Sequence, residues 1–278
     1  MQSPSAADSH GNPRSQQLDH LAREIRLRVL EQSKRAHVGH IGSALSIADL
    51  VAVMYGDFLS PGTGADRDRF VLSKGHAVLA VYAALAQTGR MDPARLDTFC
   101  ADASELGGHP EVTLEGIDFA TGSLGHGLSI GAGAALAARL QRSGRRVAVL
   151  MSDAECNEGS VGEAAMFAAQ HSLAGLVAVL DLNGQQALGY TRDVLDQSAI
   201  ADRWRDFGWD VHEVDGHDVG ALCATLDGLD YDTGPPHILI ATTTFGCGVS
   251  YMERQIAWHY MPMTDEQYAR ATAEVAAS

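Results

Sequence analysis

The sequence predicts an α/β protein with a doubly wound, mostly parallel sheet and helices on both faces. Three observations carry this expectation. Residues 147–151 and 176–182 are short apolar runs rich in β-branched side chains, and they flank an alanine-rich helical segment. A crossover of that length favours parallel pairing. Strand and helix patterns then keep alternating along the chain, as α/β sheets require. Finally, polar residues stand directly past the strands: Asp153 after the first run and Asn183 after the second. In a parallel sheet both lie at the carboxyl edge, where open α/β sheets bind ligands.

The elements follow in order. Residues 1–14 carry Ser, Pro, Ala and Asn without periodicity and read as a disordered tail, leaving 15–278 as one folded unit. Leu18, Leu21, Ala22, Ile25 and Val29 lie at helical spacing and mark an amphipathic helix reaching about Arg35. Residues 36–45 read as a glycine-containing loop around His40. Ile47, Leu50, Val51, Met54 and Phe58 form a second helix, closed by Ser60-Pro61-Gly62. A strand is expected at 67–72, a tight loop at 73–76, and helices at 77–88 and 93–99. Residues 121–133 hold five glycines in thirteen positions. Such density fits either close approach of backbone to a ligand or a close-packed helix start. An alanine-rich helix runs on to about Arg139. Beyond the central unit come a helix at 197–207, a strand at 209–214, a helix at 219–229, a strand at 237–243, a loop at 245–250 and a helix from about Thr264.

Composition excludes several classes. Lys and Arg total 20 against 35 Asp and Glu, a net charge of −15, which opposes nucleic acid and anionic membrane surfaces. The four cysteines, Cys100, Cys156, Cys223 and Cys247, have neither CxxC nor zinc-finger spacing, so reduced thiols are expected. No apolar stretch near the start resembles a signal peptide, and no run approaches membrane-spanning length. A cytoplasmic protein is the expectation.

Asp153 and Asn183 offer a carboxylate and an amide oxygen at one sheet edge, donors that suit a hard cation such as Mg²⁺. The helix beginning near Glu158 points its amino end at the same place and favours an anion. Taken alone, Asp and Asn at strand ends are equally well read as turn residues.

The run Asp153, Glu158-Gly159, Asn183 resembles the thiamine diphosphate motif of transketolases. Further runs resemble that family's signatures in the right order: Gly39-His40-Ile41-Gly42, Asp68-Arg69-Phe70-Val71-Leu72-Ser73-Lys74-Gly75-His76, and Gly108-His109-Pro110-Glu111. Residues 245–253 and Trp258-His259 resemble the end of the separate amino-terminal subunits of split transketolases. The resemblance spans residues from about 18 to 270.

That resemblance implies thiamine diphosphate and Mg²⁺ as cofactors, with Asp153, Asn183 and the Gln185 carbonyl as metal ligands. It places His76 and His259 at the diphosphate end or reacting centre, and His40 and His109 along the substrate channel. Gly122, Leu124 and the Ala154 N–H are expected to meet the cofactor, and Glu158 to meet an activating glutamate of a partner chain. Departures from the family pattern fall at Ser152, Ala154, His126, Leu188, Cys247 and Tyr260; at Cys247 a lysine's positive charge is lost. His217 is expected to be structural or interfacial. No pyrimidine-binding domain follows, so the resemblance implies a split enzyme, a heterotetramer completed by a separate carboxyl-terminal subunit, that transfers a two-carbon ketol unit from a ketose to an aldehyde. Alternatives are a non-catalytic or specialised cofactor-binding scaffold, the α subunit of a 2-oxo acid dehydrogenase, which shares the metal motif, and a phosphatase using Asp153. The Ser-Lys-Gly-His and Gly-His-Pro-Glu loops oppose the dehydrogenase, and the lack of a second suitably spaced acid opposes the phosphatase.

Overall fold

Five parallel strands organise the chain, which a computed structural model describes over residues 12–60 and 64–278. They are β1 (Arg69–Leu72), β2 (Val147–Ser152), β3 (Leu176–Leu182), β6 (Asp210–Asp215) and β7 (His237–Thr242), in the order β1-β2-β3-β7-β6. A small antiparallel hairpin of β4 (Gln185–Gln186) and β5 (Gly189–Tyr190) hangs beyond the end of β3. The helices are α1 (Pro13–Ala36), α2 (Ile41–Ser46), α3 (Ala48–Val53), α4 (Val78–Gln87), α5 (His126–Leu140), α6 (Gly159–Gln170), α7 (Thr191–Val194), α8 (Ile200–Asp206), α9 (Val219–Asp227) and α10 (Asp265–Ala277).

Side chains of a strand alternate between faces, and here both faces are apolar. Ala148, Leu150, Val177, Val179, Leu239 and Ala241 join a core with α1 to α4, α9 and α10. Val149, Met151, Ala178, Leu180, Ile238 and Ile240 join a second core with α5, α6 and α8. The central strands therefore read as nearly continuous apolar runs, as strands covered on both faces do. The doubly wound sheet expected from the sequence is the one observed.

Several boundaries differ. Pro13 and Arg14, expected in the tail, begin α1, because Asn12 caps that helix by accepting the Arg14 N–H at 3.0 Å. The rest of the expected tail, residues 1–11, and the Pro61-Gly62 stop lie outside the described residues. The loop expected at 36–45 ends early, since Ile41–Ser46 is helical and wholly buried; packing overrides its glycine and serines. The expected second helix is α3 continued by a π-helical turn, Met54–Phe58, and Pro93–Thr98 is a 3₁₀ segment.

β1 leads to α4 on one face and β2 to α6 on the other, so the chain parts between them at the carboxyl edge. Such switch points form the crevices of doubly wound sheets.

Candidate active site

The turns leaving β1, β2 and β3 converge on a cleft of about 690 Å³. Its walls include His40, Lys74, His76, His109, Leu124, Ala154, Glu158, Asn183, Gln185 and His259. Segments far apart in sequence thus bring the four histidines to one place. The His40 and His76 rings lie 5.1 Å apart. The His40 N–H donates to the His259 carbonyl at 3.1 Å, and the His259 ring stacks on buried Phe245 at 4.2 Å. His40 takes a left-handed backbone conformation (φ 59°) where the chain turns into α2.

Asp153 is fully buried between Ser152 and Ala154, which line the cleft. Its Oδ1 accepts the Ala154 N–H at 2.8 Å, while Oδ2 accepts the Gly184 N–H at 2.8 Å and the Thr191 hydroxyl at 3.0 Å. Burial, and then the neighbouring Asp181 carboxylate, push its pKa up to about 6 despite these donors. A carboxylate so placed calls for a countercharge. Asn183 Oδ1 accepts the Gln185 N–H at 2.9 Å, and the Asn183 amide donates to Asp181 at 2.8 Å. The Gln185 side-chain amide is buried, and among the described residues neither its nitrogen nor its oxygen finds a hydrogen-bond partner. Buried polar atoms of this kind call for a partner. The oxygens of Asp153, Asn183 and the Gln185 backbone form a hard donor set, and the amino end of α6, at Glu158 and Gly159, opens nearby. These residues fit a divalent cation carrying a diphosphate.

Beneath the histidines lies a buried charge network that sequence reasoning missed. Lys74 Nζ donates to Asp181 at 2.5 Å; the two are 1% and 0% exposed. Asp181 also accepts the hydroxyls of Ser46, at 2.7 Å, and Thr243. Lys74 lies inside the Ser-Lys-Gly-His run and Asp181 within an apolar strand, so only a charge in an otherwise apolar run marked the second. Glu155, also fully buried, accepts the Ser73 hydroxyl and the Gly125 N–H at 2.7 Å, so it ties β1's turn to the start of α5. Gly125 has φ 86°, and an added Cβ there would meet Glu158 Cβ at 2.6 Å.

The imidazoles of His76, His259 and His40 are held toward the neutral form. Burial and the nearby Lys74 charge lower His76 well below the usual histidine value. Burial lowers His259 to about 4, and burial with His109 and Lys74 lowers His40.

Some expected residues fall elsewhere. Gly122 is not on the cleft wall; a Cβ there would sit 3.6 Å from the His109 ring, so it backs that side chain. The Ala154 N–H is engaged by Asp153 itself. His126 is exposed and outside the cleft. Leu188, 82% exposed, forms part of the rim, and the Tyr260 hydroxyl donates to the Ala187 carbonyl at 2.6 Å, tying the β4–β5 hairpin across the mouth. At Cys247 positive charge is present after all, because Arg26 Nη2 lies 3.6 Å from its sulfur. His217 sits in the same part-buried cluster, 2.7 Å from Asp49. A larger cleft, about 800 Å³ beside Tyr55, Arg67, Arg90 and Asp118, contains none of the expected site residues.

The fold and cleft define a doubly wound α/β protein with a histidine-lined cleft at the carboxyl edge. Residues 18–276 match the family model described as transketolase, thiamine diphosphate binding domain. The chain belongs to the transketolase family. It is 42% identical over 254 residues to an apulose-4-phosphate transketolase subunit of Phocaeicola vulgatus, covering 90% of each chain. It is 37% identical to a 6-deoxy-6-sulfo-D-fructose transketolase subunit of Clostridium, over 93% of this chain and 96% of that one. Among solved structures it resembles the transketolase of Campylobacter jejuni, with a TM-score of 0.86 and 25% identity, over 94% of this chain and 43% of that one. No described helix is long and apolar enough to cross a membrane.

Proposed function

We propose that this chain is the diphosphate-binding subunit of a two-chain transketolase, and that with its partner it moves a two-carbon ketol unit from a ketose to an aldehyde. The observation that carries the reading is the single cleft that Asn183 and Gln185 share with His40, His76, His109 and His259, with Asp153 bonded to the Gly184 N–H directly beside Asn183. In this reading Asp153, Asn183 and the Gln185 carbonyl would hold Mg²⁺, and the amino end of α6 would favour the diphosphate's negative charge. Thiamine diphosphate supplies the electron sink for cleaving and forming the ketose carbon–carbon bond. The protein's own part is to bind, orient and handle protons. Neutral His76, His40 and His259 can each accept a hydrogen bond from a ketose hydroxyl near neutral pH. His109 lines the channel, and its imidazole can donate to a developing oxyanion. Leu124 provides an apolar wall.

A separate partner chain is supported by the relatives of nearly equal length that are named as subunits. Exposed apolar side chains support it too: Leu188, Leu195, Tyr260 and Met261 lie 50% or more exposed around or near the cleft, where a covering chain would bury them. The exposure of Glu158 at the rim supports the same reading, since a partner group can reach it there. The assembly is read as a heterotetramer in the cytoplasm, and the relatives' names favour a specialised ketose donor.

The test is ketol transfer measured with this chain alone and with its partner titrated in. No turnover alone and saturation near equal amounts of the two chains are expected. Full activity of this chain by itself overturns the two-chain reading, and a partner that binds without restoring turnover favours the scaffold.

A further inference from the structure

Outside the cleft, two trios of metal-ligating side chains come together among the described residues, each with donor atoms within 4.8 Å of one another: Asp49–His217–Cys247 and Asp210–His212–His237. The first already holds a cation, since the Arg26 guanidinium bonds Asp49 and reaches Cys247. The second has a different construction.

Asp210 and His237 are the first residues of β6 and β7 and stand directly opposite one another in the parallel ladder. His212, two residues beyond Asp210, shares its face. The register therefore sets all three at the amino edge of the sheet, at the opposite end from the cleft. Asp210 Oδ2 lies 2.9 Å from His212 Nε2 and 3.0 Å from His237 Nδ1. The other nitrogen of His237, Nε2, is 2.8 Å from the Asp230 carbonyl oxygen. A carbonyl only accepts, so Nε2 carries the proton, and in the neutral ring Nδ1 presents a lone pair to a carboxylate oxygen. Either a second ring proton or a metal ion can bridge these two atoms, and the third ligand, His212, distinguishes this place from a simple pair.

We propose that Asp210, His212 and His237 form a binding site for a zinc-class divalent cation, which clips edge strand β6 to β7. The His237 ring is pre-oriented as metal-bound imidazoles are, with its far N–H on a backbone carbonyl. It is 3% exposed and packs at 67° against Tyr231, 5.9 Å away. Tetrahedral zinc with bonds of about 2.0–2.2 Å places neighbouring ligand atoms about 3.3 Å apart, so the two gaps to Asp210 need to widen by only about 0.3–0.4 Å, and the gap between the two imidazole nitrogens lies within 4.8 Å and closes by rotation of the part-exposed His212 side chain. The side chains of His212 and Asp210 are 30% and 45% exposed, which leaves an entry path and a fourth position for water. Two imidazoles with one carboxylate select zinc-class ions over Mg²⁺.

The full-length chain, stripped with chelator, is titrated with Zn²⁺ by calorimetry in excess Mg²⁺, which occupies hard oxygen sites. One zinc per chain is expected, with a rise in Tm. Replacing His212, a part-exposed position that spares the core, by Ala should weaken binding by at least the roughly 10–100-fold that loss of outer partners alone causes, and should abolish the Tm rise. Cys247→Ser should leave zinc affinity unchanged, and the Co²⁺-loaded protein should show no thiolate charge-transfer absorption. The proposal is overturned if no zinc saturates, if His212→Ala binds like wild type, or if Cys247→Ser removes the site.

Discussion

Replacing Lys74 by Met tests whether the buried network beneath the histidines holds the site together. The substitution keeps the apolar stem, so the cavity term is small, but among the described residues it removes the only cation bonded to Asp181. The carboxylate then keeps three neutral donors, the hydroxyls of Ser46 and Thr243 and the Asn183 amide. Breaking a buried pair by removing one partner costs about 3–5 kcal/mol, and two unit charges about 4 Å apart at an effective dielectric of about 20 interact by about 4 kcal/mol. The two figures agree. At about 2–4 °C per kcal/mol for a chain near this size, Tm should fall by about 6–20 °C. Urea unfolding of wild type, Lys74→Met, Asp181→Asn and the double variant measures the coupling directly. The double variant should recover more than half of the single-variant loss, since the uncompensated charge is gone. Additive losses, each under about 1 kcal/mol, would refute the view that this pair is a mutually dependent unit. Lys74 also lowers His76, His40 and His259, so imidazole titrations followed by NMR should move upward in Lys74→Met.

The other predictions concern separate links. Asp153→Ala should abolish Mg²⁺-dependent thiamine diphosphate binding by calorimetry, because the only charged oxygen of the set is lost, and Asn183→Ala should weaken it less; unchanged affinity in Asp153→Ala rules out the metal assignment. In Gly42→Ala the added Cβ would lie 2.1 Å from the ring of Phe245, so the ring that supports His259 must move. A stability loss of about 1–3 kcal/mol with impaired turnover of the reconstituted enzyme is expected, and wild-type behaviour contradicts the packing. His217 Nε2 accepts the Thr244 N–H at 2.8 Å while Nδ1 faces Asp49 at 2.7 Å, an arrangement that the neutral ring with its proton on Nδ1 satisfies. His217→Ala leaves the Thr244 N–H and an Asp49 oxygen without that partner, so a loss of about 1–3 kcal/mol is expected in urea unfolding, and wild-type stability contradicts the bridging role.

Much of the fold was legible in the chain because its signals are local. The strands at 147–152, 176–182 and 237–242 are runs buried on both faces, and such runs declare themselves by composition. Asp153 and Asn183 were legible because each directly follows one of those runs, and parallel pairing then fixes which edge they share. The histidine motifs were legible as short strings. Only tertiary structure decided what depends on contacts between distant segments. Lys74 and Asp181 stand 107 residues apart, and neither sequence neighbourhood signals an ion pair; both charges persist in the core because each is the other's compensation. Ile41–Ser46 is helical because every one of its residues is buried, which no local propensity of a glycine- and serine-containing hexapeptide dictates. Arg26 beside Cys247, and His212 beside His237, likewise come from strand register and helix packing, which act over whole elements and leave no mark in a short window of residues.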